Sequence, residues 1–244
     1  MSTVVVIQAR LGSTRLPGKV LADLNGRPML AHVVERARAI RGVDHVLVAV
    51  PSDDCIAIDD ALRDCGALVP PGWPPVPDAD VLSRFAFALA GRGAEIIIRL
   101  TGDTPLLAPD VAEQALAAFH AQHVDYLGTT RPTLAVPDGM DVEVFTRAAL
   151  ETAHREATDP EDREHVTRYL WRQPARFRLG VMAAVCQTTC WRGDCPCGPC
   201  WVLGLKLSVD TEEDLQRARA IHARIPPGDF SLGTTLTAAK EVGL

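Results

Sequence analysis

Apolar residues fall along this chain in short continuous runs that alternate with stretches of helical period. Val4 to Ile7 is a run of four β-branched residues with no polar face, which predicts a strand buried on both sides. Pro28 suits the first turn of a helix carrying Leu30, Val33, Val34 and Ala37 on one face, and Val46–Val50 reads as the next strand. A helix over about 54–64 then leads to a short strand near Leu68, and the proline-rich stretch 70–77 can only be a stiff loop, because its prolines lack amide donors. Val81, Leu82, Phe85, Ala86 and Leu89 predict a helix, Ile96–Leu100 a buried strand, and Pro109 opens a helix running to about Gln122.

The second half is less regular. A strand near 125–128, a loop over 131–139 and a strand over 140–145 precede Thr146, an N-cap candidate. Asp159-Pro160 reads as an N-cap and first-turn proline for a helix passing through His165 and Tyr169. Strands over 176–185 and 201–209 flank a cysteine-rich insert, and Thr211 with Asp214 forms an approximate capping box for a helix to about Arg224. A last short helix closes the chain. Alternating strands and helices of this kind predict an α/β fold, Rossmann-like, with a mostly parallel sheet and helices on both faces, plus a small irregular β lobe. The 244 residues, 47% of them hydrophobic, fit one domain with a sizeable core.

The net charge of −6 disfavours a nucleic-acid surface or an anionic membrane as partner, so basic residues matter locally. No apolar run approaches the roughly 18 residues of a membrane span, and Met1 leads straight into the first strand pattern, which together predict a cytoplasmic location. Seven cysteines, an odd number, then read as thiols or metal ligands rather than a disulfide framework.

Candidate chemistry gathers first in the loop after Val4–Gln8. Gly12 and Gly18 allow close backbone approach, Ser13 and Thr14 add hydroxyl donors, and Arg10, Arg15 and Lys19 add three positive charges, a cradle suited to a polyphosphate. It is not a P-loop: five residues separate Gly12 from Gly18, and Val20 rather than a hydroxyl residue follows Lys19. Nor does a G-x-G-x-x-G follow the strand. Taken alone, a solvated basic loop stays an alternative. Asp103 and Asp210 both follow predicted strands, where two carboxylates brought together can hold Mg²⁺ with phosphate oxygens; turn and cap roles are the bland alternatives.

The segment Ile7-Gln8-Ala9-Arg10-Leu11-Gly12-Ser13-Thr14-Arg15-Leu16-Pro17-Gly18-Lys19 resembles the N-terminal signature of the sugar cytidylyltransferases, most closely the branch named for spore-coat polysaccharide biosynthesis. The resemblance continues through Asp80–Arg84, Leu100–Leu106, Pro137–Phe145, Glu164–Thr167 and Ser208–Leu215, nearly the whole chain. It implies a nucleotidyltransferase fold over 1–244 and a Mg²⁺-dependent transfer of CMP from CTP to a sugar or small acidic acceptor, with release of pyrophosphate. Arg10, Lys19, Asp103 and Asp210 would be catalytic, with Asp103 and Asp210 holding the metal. Ala9, Arg10, Gly12, Ser13, Thr14, Arg15, Lys19, Asp80, Arg84, Thr101 and Gly102 would bind the nucleotide, and Asp138, Asp141, Glu143 and His165 the acceptor. Arg99, Arg131 and Arg168 are candidates for an anionic group on that acceptor, and a neutral His165 is a candidate base. A homodimer is left open.

Two alternatives stay open: another nucleoside triphosphate on the same fold, and a zinc-containing binding protein without turnover. The chain departs from the family pattern at Cys186, Cys190, Cys195, Cys197 and Cys200, within the insert 185–201. Four of these thiolates could bind a structural Zn²⁺, with disulfides and unligated thiols as the other readings, while Cys55 and Cys65 read as ordinary thiols.

Overall fold

The computed structural model describes residues 2–70, 76–131, 134–183 and 201–244. Strand β1 (Thr3–Gln8) is its centre: Val5 and Ile7 pack into one apolar cluster, Val4 and Val6 into another, as alternate residues of a doubly covered strand must. A short hairpin, β2 (Asp23–Leu24) and β3 (Arg27–Pro28), feeds α1 (Met29–Arg38). β4 (His45–Ala49), α2 (Cys55–Leu62), α3 (Val81–Ala88), β5 (Ile96–Thr101) and α4 (Pro109–Gln122) complete the regular half. Then come β6 (Tyr126–Gly128), β7 (Glu143–Thr146), α5 (Arg147–Glu156), α6 (Pro160–Glu164), α7 (Arg168–Trp171), β8 (Leu179–Gly180), α8 (Glu212–His222) and α9 (Leu232–Glu241).

The main sheet has the order β4-β1-β5-β7-β6-β8. β1 runs parallel to β4 and β5, β8 runs parallel to β6, and only β7 is antiparallel to its neighbours. Leu30, Val33, Val111, Ala115, Leu215 and Leu236, from α1, α4, α8 and α9, cover one face. Val81, Phe85, Leu150 and Leu170, from α3, α5 and α7, cover the other, so the expected mostly parallel sheet with helices on both faces is what forms. Because the chain leaves β1 toward β4 on one side and later returns to β5 on the other, the strand order reverses beside β1. The crevice outside the carboxyl ends of β1 and β5 is therefore where such a sheet binds ligands.

Several expectations need correction. Pro28 precedes the helix as its N-cap residue (φ −54°, ψ 138°), with Met29 first inside. The helix expected through His165 and Tyr169 is broken into α6 and α7, because Val166 turns to φ +47° and buries its side chain completely. That conformation is unusual for a β-branched residue, and apolar burial in the second cluster holds it there. The strand expected over 140–145 starts only at Glu143. Of the strand expected over 176–185, only Leu179–Gly180 pairs among the described residues. The stretch expected as a strand over 201–209 begins as a 3₁₀ turn, Trp201–Gly204, and makes a single bridge from Lys206 to Asp138. Leu205, Leu207 and Val209 are buried with the right alternation, but the amides of Leu207 and Val209 donate to the loop carbonyls of Asp138 and Asp103 rather than to a strand. The strand expected near Leu68 is likewise one parallel bridge to Leu47.

Candidate functional site

A cleft of about 240 Å³ opens at the carboxyl ends of β1 and β5, lined by Gln8 to Arg10, Ser13 to Arg15, Lys19 and Val20 from the first loop, with Thr101, Gly102, Asp103 and Asp210 opposite. Gly102 makes the two strand ends fit. Its amide donates to the Gln8 carbonyl at 2.8 Å, and a Cβ there would stand 3.1 Å from that of Ala9 and 3.2 Å from the Gln8 oxygen. The loop is shaped by its own amides, Ser13 and Gly18 both donating to the Leu11 carbonyl, and is tied down by the Leu11 amide on Asp54 Oδ2 at 2.7 Å. Gly18 at φ +69° turns the chain into a 3₁₀ turn, Lys19–Leu21, whose Val20 is buried. Gly12, by contrast, has open space around it, so no close approach explains it.

Lys19 ties the two halves of the cleft together. Its Nζ donates to Asp103 Oδ2 at 2.8 Å, to the Val209 carbonyl at 2.9 Å and to Asp210 Oδ1 at 3.2 Å. The Val209 amide donates to the Asp103 carbonyl at 2.9 Å, so backbone as well as side chains join the two acidic loops. Arg15 reaches the same Asp210 Oδ1 at 2.8 Å, and Lys206 reaches Oδ2 at 3.2 Å while pairing with Asp214. Burial alone would raise the Asp210 carboxyl, but hydrogen bonds and charge from Lys19 and then Lys206 hold it below the usual carboxylate range. The Asp214 carboxyl, likewise pushed up by burial and pulled down by Lys206 and the Asp210 and Thr211 amides, falls to about 2. Asp103 Oδ1 accepts from the Thr101 hydroxyl at 2.6 Å. An ammonium clasped by two carboxylates and a carbonyl marks a place built for a cation, and hard oxygen donors with room for phosphate and water suit Mg²⁺.

A second, larger cavity of about 430 Å³ adjoins the first and shares Thr101 with it. Arg99, Thr130, Arg131, Asp141, Glu143, Glu161, His165, Thr167, Arg168 and Trp171 also line it, so three of the four residues expected at the acceptor come together here. They are not equally available. Glu143 Oε1 accepts from Tyr126 Oη at 2.6 Å and Thr167 Oγ1 at 2.5 Å, and its other oxygen accepts from Arg99. Arg99 also donates to Gln8 Oε1 at 2.9 Å, which links the two cavities through one side chain. Arg168 is neutralised by Asp159, Glu161 and Asp162. Arg131 differs: it is exposed, stacks 4.8 Å over the Trp171 ring, and makes no ion pair among the described residues. Asp141 Oδ2 accepts from the Gly139 amide at 3.1 Å, and burial, with the nearby Asp138 and Glu143 charges, raises its carboxyl. His165 is exposed in the turn between α6 and α7.

The remaining expected residues lie elsewhere. Asp80 caps α3 through the Ser83 amide and is clamped by Arg163 on both oxygens at 3.0 Å, outside the lining of either cavity. Asp138 is exposed in the turn before Met140 and accepts from Ser208 Oγ at 2.9 Å. Arg84 is only 1% exposed, and none of its three guanidinium nitrogens has a partner among the described residues. Burial lowers its pKa, and Arg10, Asp54, Asp78 and Asp80 are the charges it feels. A buried cation this poorly paired, close to the cleft's own Arg10, is what an incoming anion would relieve.

Gln8, Thr130, Thr167, Trp171 and Lys206 were not foreseen. Gln8 carried a signal, being the one polar residue ending an apolar strand. The others depend on contacts too distant along the chain. The five cysteines 186–200 fall outside the described residues, and among those described no group of three or more His, Cys, Asp or Glu is placed to hold a metal. Cys55 and Cys65 are half-buried, and the Cys55 thiol donates to the Pro51 carbonyl. No described helix is long and apolar enough to cross a membrane.

Residues 4–217 match the family model for cytidylyltransferases. A 3-deoxy-manno-octulosonate cytidylyltransferase of Anaeromyxobacter dehalogenans is 44% identical over 133 residues, 54% of this chain and 51% of that protein. The chain thus spans about half the length of that relative. A protein of the same name from Idiomarina loihiensis is 32% identical across 91% of this chain and 98% of its own. A cytidylyltransferase structure from Leptospira borgpetersenii superposes with a TM-score of 0.82 at 23% identity, covering 99% of this chain and 95% of that one, a likeness of fold.

Proposed function

This chain belongs to the cytidylyltransferase family, and from that premise we propose that it transfers CMP from CTP to a sugar acid, with release of pyrophosphate. The observation that carries the reading is the pair of adjoining cavities, one lined by phosphate-binding cations and two carboxylates, the other presenting Arg131 on Trp171, with Thr101 between them.

CTP places its triphosphate along the first loop. Arg10 and Arg15 neutralise the β- and γ-phosphates, Ser13 and Thr14 offer hydroxyl donors, and Ala9 and Gly102 let the backbone come near. Arg84, buried and without a hydrogen-bond partner among the described residues, adds positive charge behind the cleft. Asp103 and Asp210 would hold Mg²⁺, which would neutralise phosphate charge there. The acceptor lies in the second cavity, its anionic group on Arg131 and its hydroxyls facing Asp141 and His165. Its nucleophilic oxygen attacks the α-phosphorus from the Thr101 side. The new P–O bond forms as the bond to the bridging oxygen breaks, pyrophosphate leaves with that electron pair, and the acceptor hydroxyl's proton passes to His165 or to solvent.

A ligand that binds only the folded chain stabilises it by mass action. At a concentration one hundred times its Kd, CTP with Mg²⁺ should raise Tm by about 5–10 °C in a chain this size. ATP, GTP and UTP at equal concentration should do less. Equal shifts from all four would remove the cytidine preference while leaving the phosphate cradle intact.

A further inference from the structure

An ammonium carries three N–H donors, and Lys19 spends all three on the protein: Asp103 Oδ2, the Val209 carbonyl and Asp210 Oδ1. The three acceptors form a cup rather than a chance cluster, because the Val209 amide is itself bonded to the Asp103 carbonyl. The Lys19 side chain is 12% exposed, and buried Val20 with the turn at Gly18 fixes its root. Arg15, by contrast, is 63% exposed. The cations are therefore not equivalent: Arg10 and Arg15 are open to a triphosphate, whereas Lys19 can offer it a donor only by releasing one of these three acceptors.

We propose that Lys19 is a positioning residue for the metal pair, its ammonium occupying the divalent cation's place and holding Asp103 and Asp210 together until the metal–nucleotide complex arrives. This rests on the reading of Asp103 and Asp210 as metal ligands. Both carboxylates lie within hydrogen-bond reach of one nitrogen, so without that positive charge they repel each other across a short gap. Lys19 removes the repulsion and keeps the oxygens aimed at one point. The same bonds make it a competitor of any divalent cation arriving alone. Arg15 and Lys206, on the two oxygens of Asp210, compete in the same way but more weakly, since neither touches Asp103. The protein thus discriminates against bare metal and admits metal that brings its own phosphates.

The test is Mn²⁺ binding to the full chain without nucleotide, read from the loss of the free-ion electron paramagnetic resonance signal. Wild type should bind weakly. Lys19→Met should bind at least about tenfold more tightly, the scale of a direct coupling between two sites for one ligand. Arg15→Met, a change at an exposed side chain that the fold tolerates, should tighten binding a few fold, and adding Asp103→Asn should abolish both gains. If Lys19→Met binds Mn²⁺ no more tightly than wild type, the proposal is wrong. Should Lys19→Met not fold, Lys19→Gln, which keeps a polar head but removes the charge, decides by the same criterion. The underlying metal assignment fails separately, if Asp103→Asn leaves Mn²⁺ binding by the CTP-loaded protein unchanged.

Discussion

Asp103→Asn and Asp210→Asn should each keep the fold and lose nucleotidyl transfer by about 10³-fold, the scale of removing a group that stabilises charge in the transition state. Either change is near-isosteric, and the backbone contacts that place these residues remain: the Asp103 carbonyl still accepts from Val209, and the Asp210 amide still donates to Asp214. What is lost is one negative charge from a pair shared by Lys19, Arg15 and Lys206. The acidic pair becomes a single carboxylate, and affinity for a divalent ion should fall with it. Circular dichroism should be unchanged for both variants. Near-wild-type turnover at saturating Mg²⁺ in either one would remove that residue from the essential ligands.

Arg131→Ala should raise KM for the acceptor by about 10–100-fold, the cost of one charge-assisted contact, while KM for CTP stays close to wild type. Its guanidinium has the Trp171 ring as a platform and no carboxylate partner among the described residues, so it is both oriented and available. Trp171→Ala should move acceptor KM the same way by less, because it loosens the cation without deleting it. Arg168→Ala is the contrast. That side chain is held by Asp159, Glu161 and Asp162 at the start of α6, and its loss leaves Glu161 without its partner and Asp159 and Asp162 with Arg172 alone, so thermal stability should fall along with activity. An acceptor KM unaffected by Arg131→Ala would place the anion elsewhere.

The features legible in the sequence share one property: they are set by neighbours within a few residues. Four consecutive β-branched residues can only be a doubly buried strand, and Val4 to Ile7 divides between the two apolar clusters accordingly. Thr146 caps α5 through the Ala149 amide, and Thr211 with Asp214 forms a full capping box. Asp103 and Asp210 were readable because each ends a run of buried residues, although only the fold could bring them to one ammonium. What the sequence hid is long-range. Nothing near Asp80 announces that Arg163 will take both its oxygens, and nothing near Glu143 announces Arg99, Tyr126 and Thr167. The break between α6 and α7 has the same origin: a local pattern favours one helix, and the demand for Val166 in the core overrides it.

Pyrophosphate release, measured with each of the four nucleoside triphosphates against a panel of sugar acids, decides whether the two adjoining cavities join CTP to a sugar acid. The panel should include 3-deoxy-manno-octulosonate and equally sized neutral sugars. Release should be Mg²⁺-dependent with CTP and at least one sugar acid and should yield a CMP-linked product, with little release from neutral sugars or with ATP, GTP and UTP. Release that ignores the base or the acid, or none with any pair while the CTP-dependent rise in Tm persists, would contradict that activity.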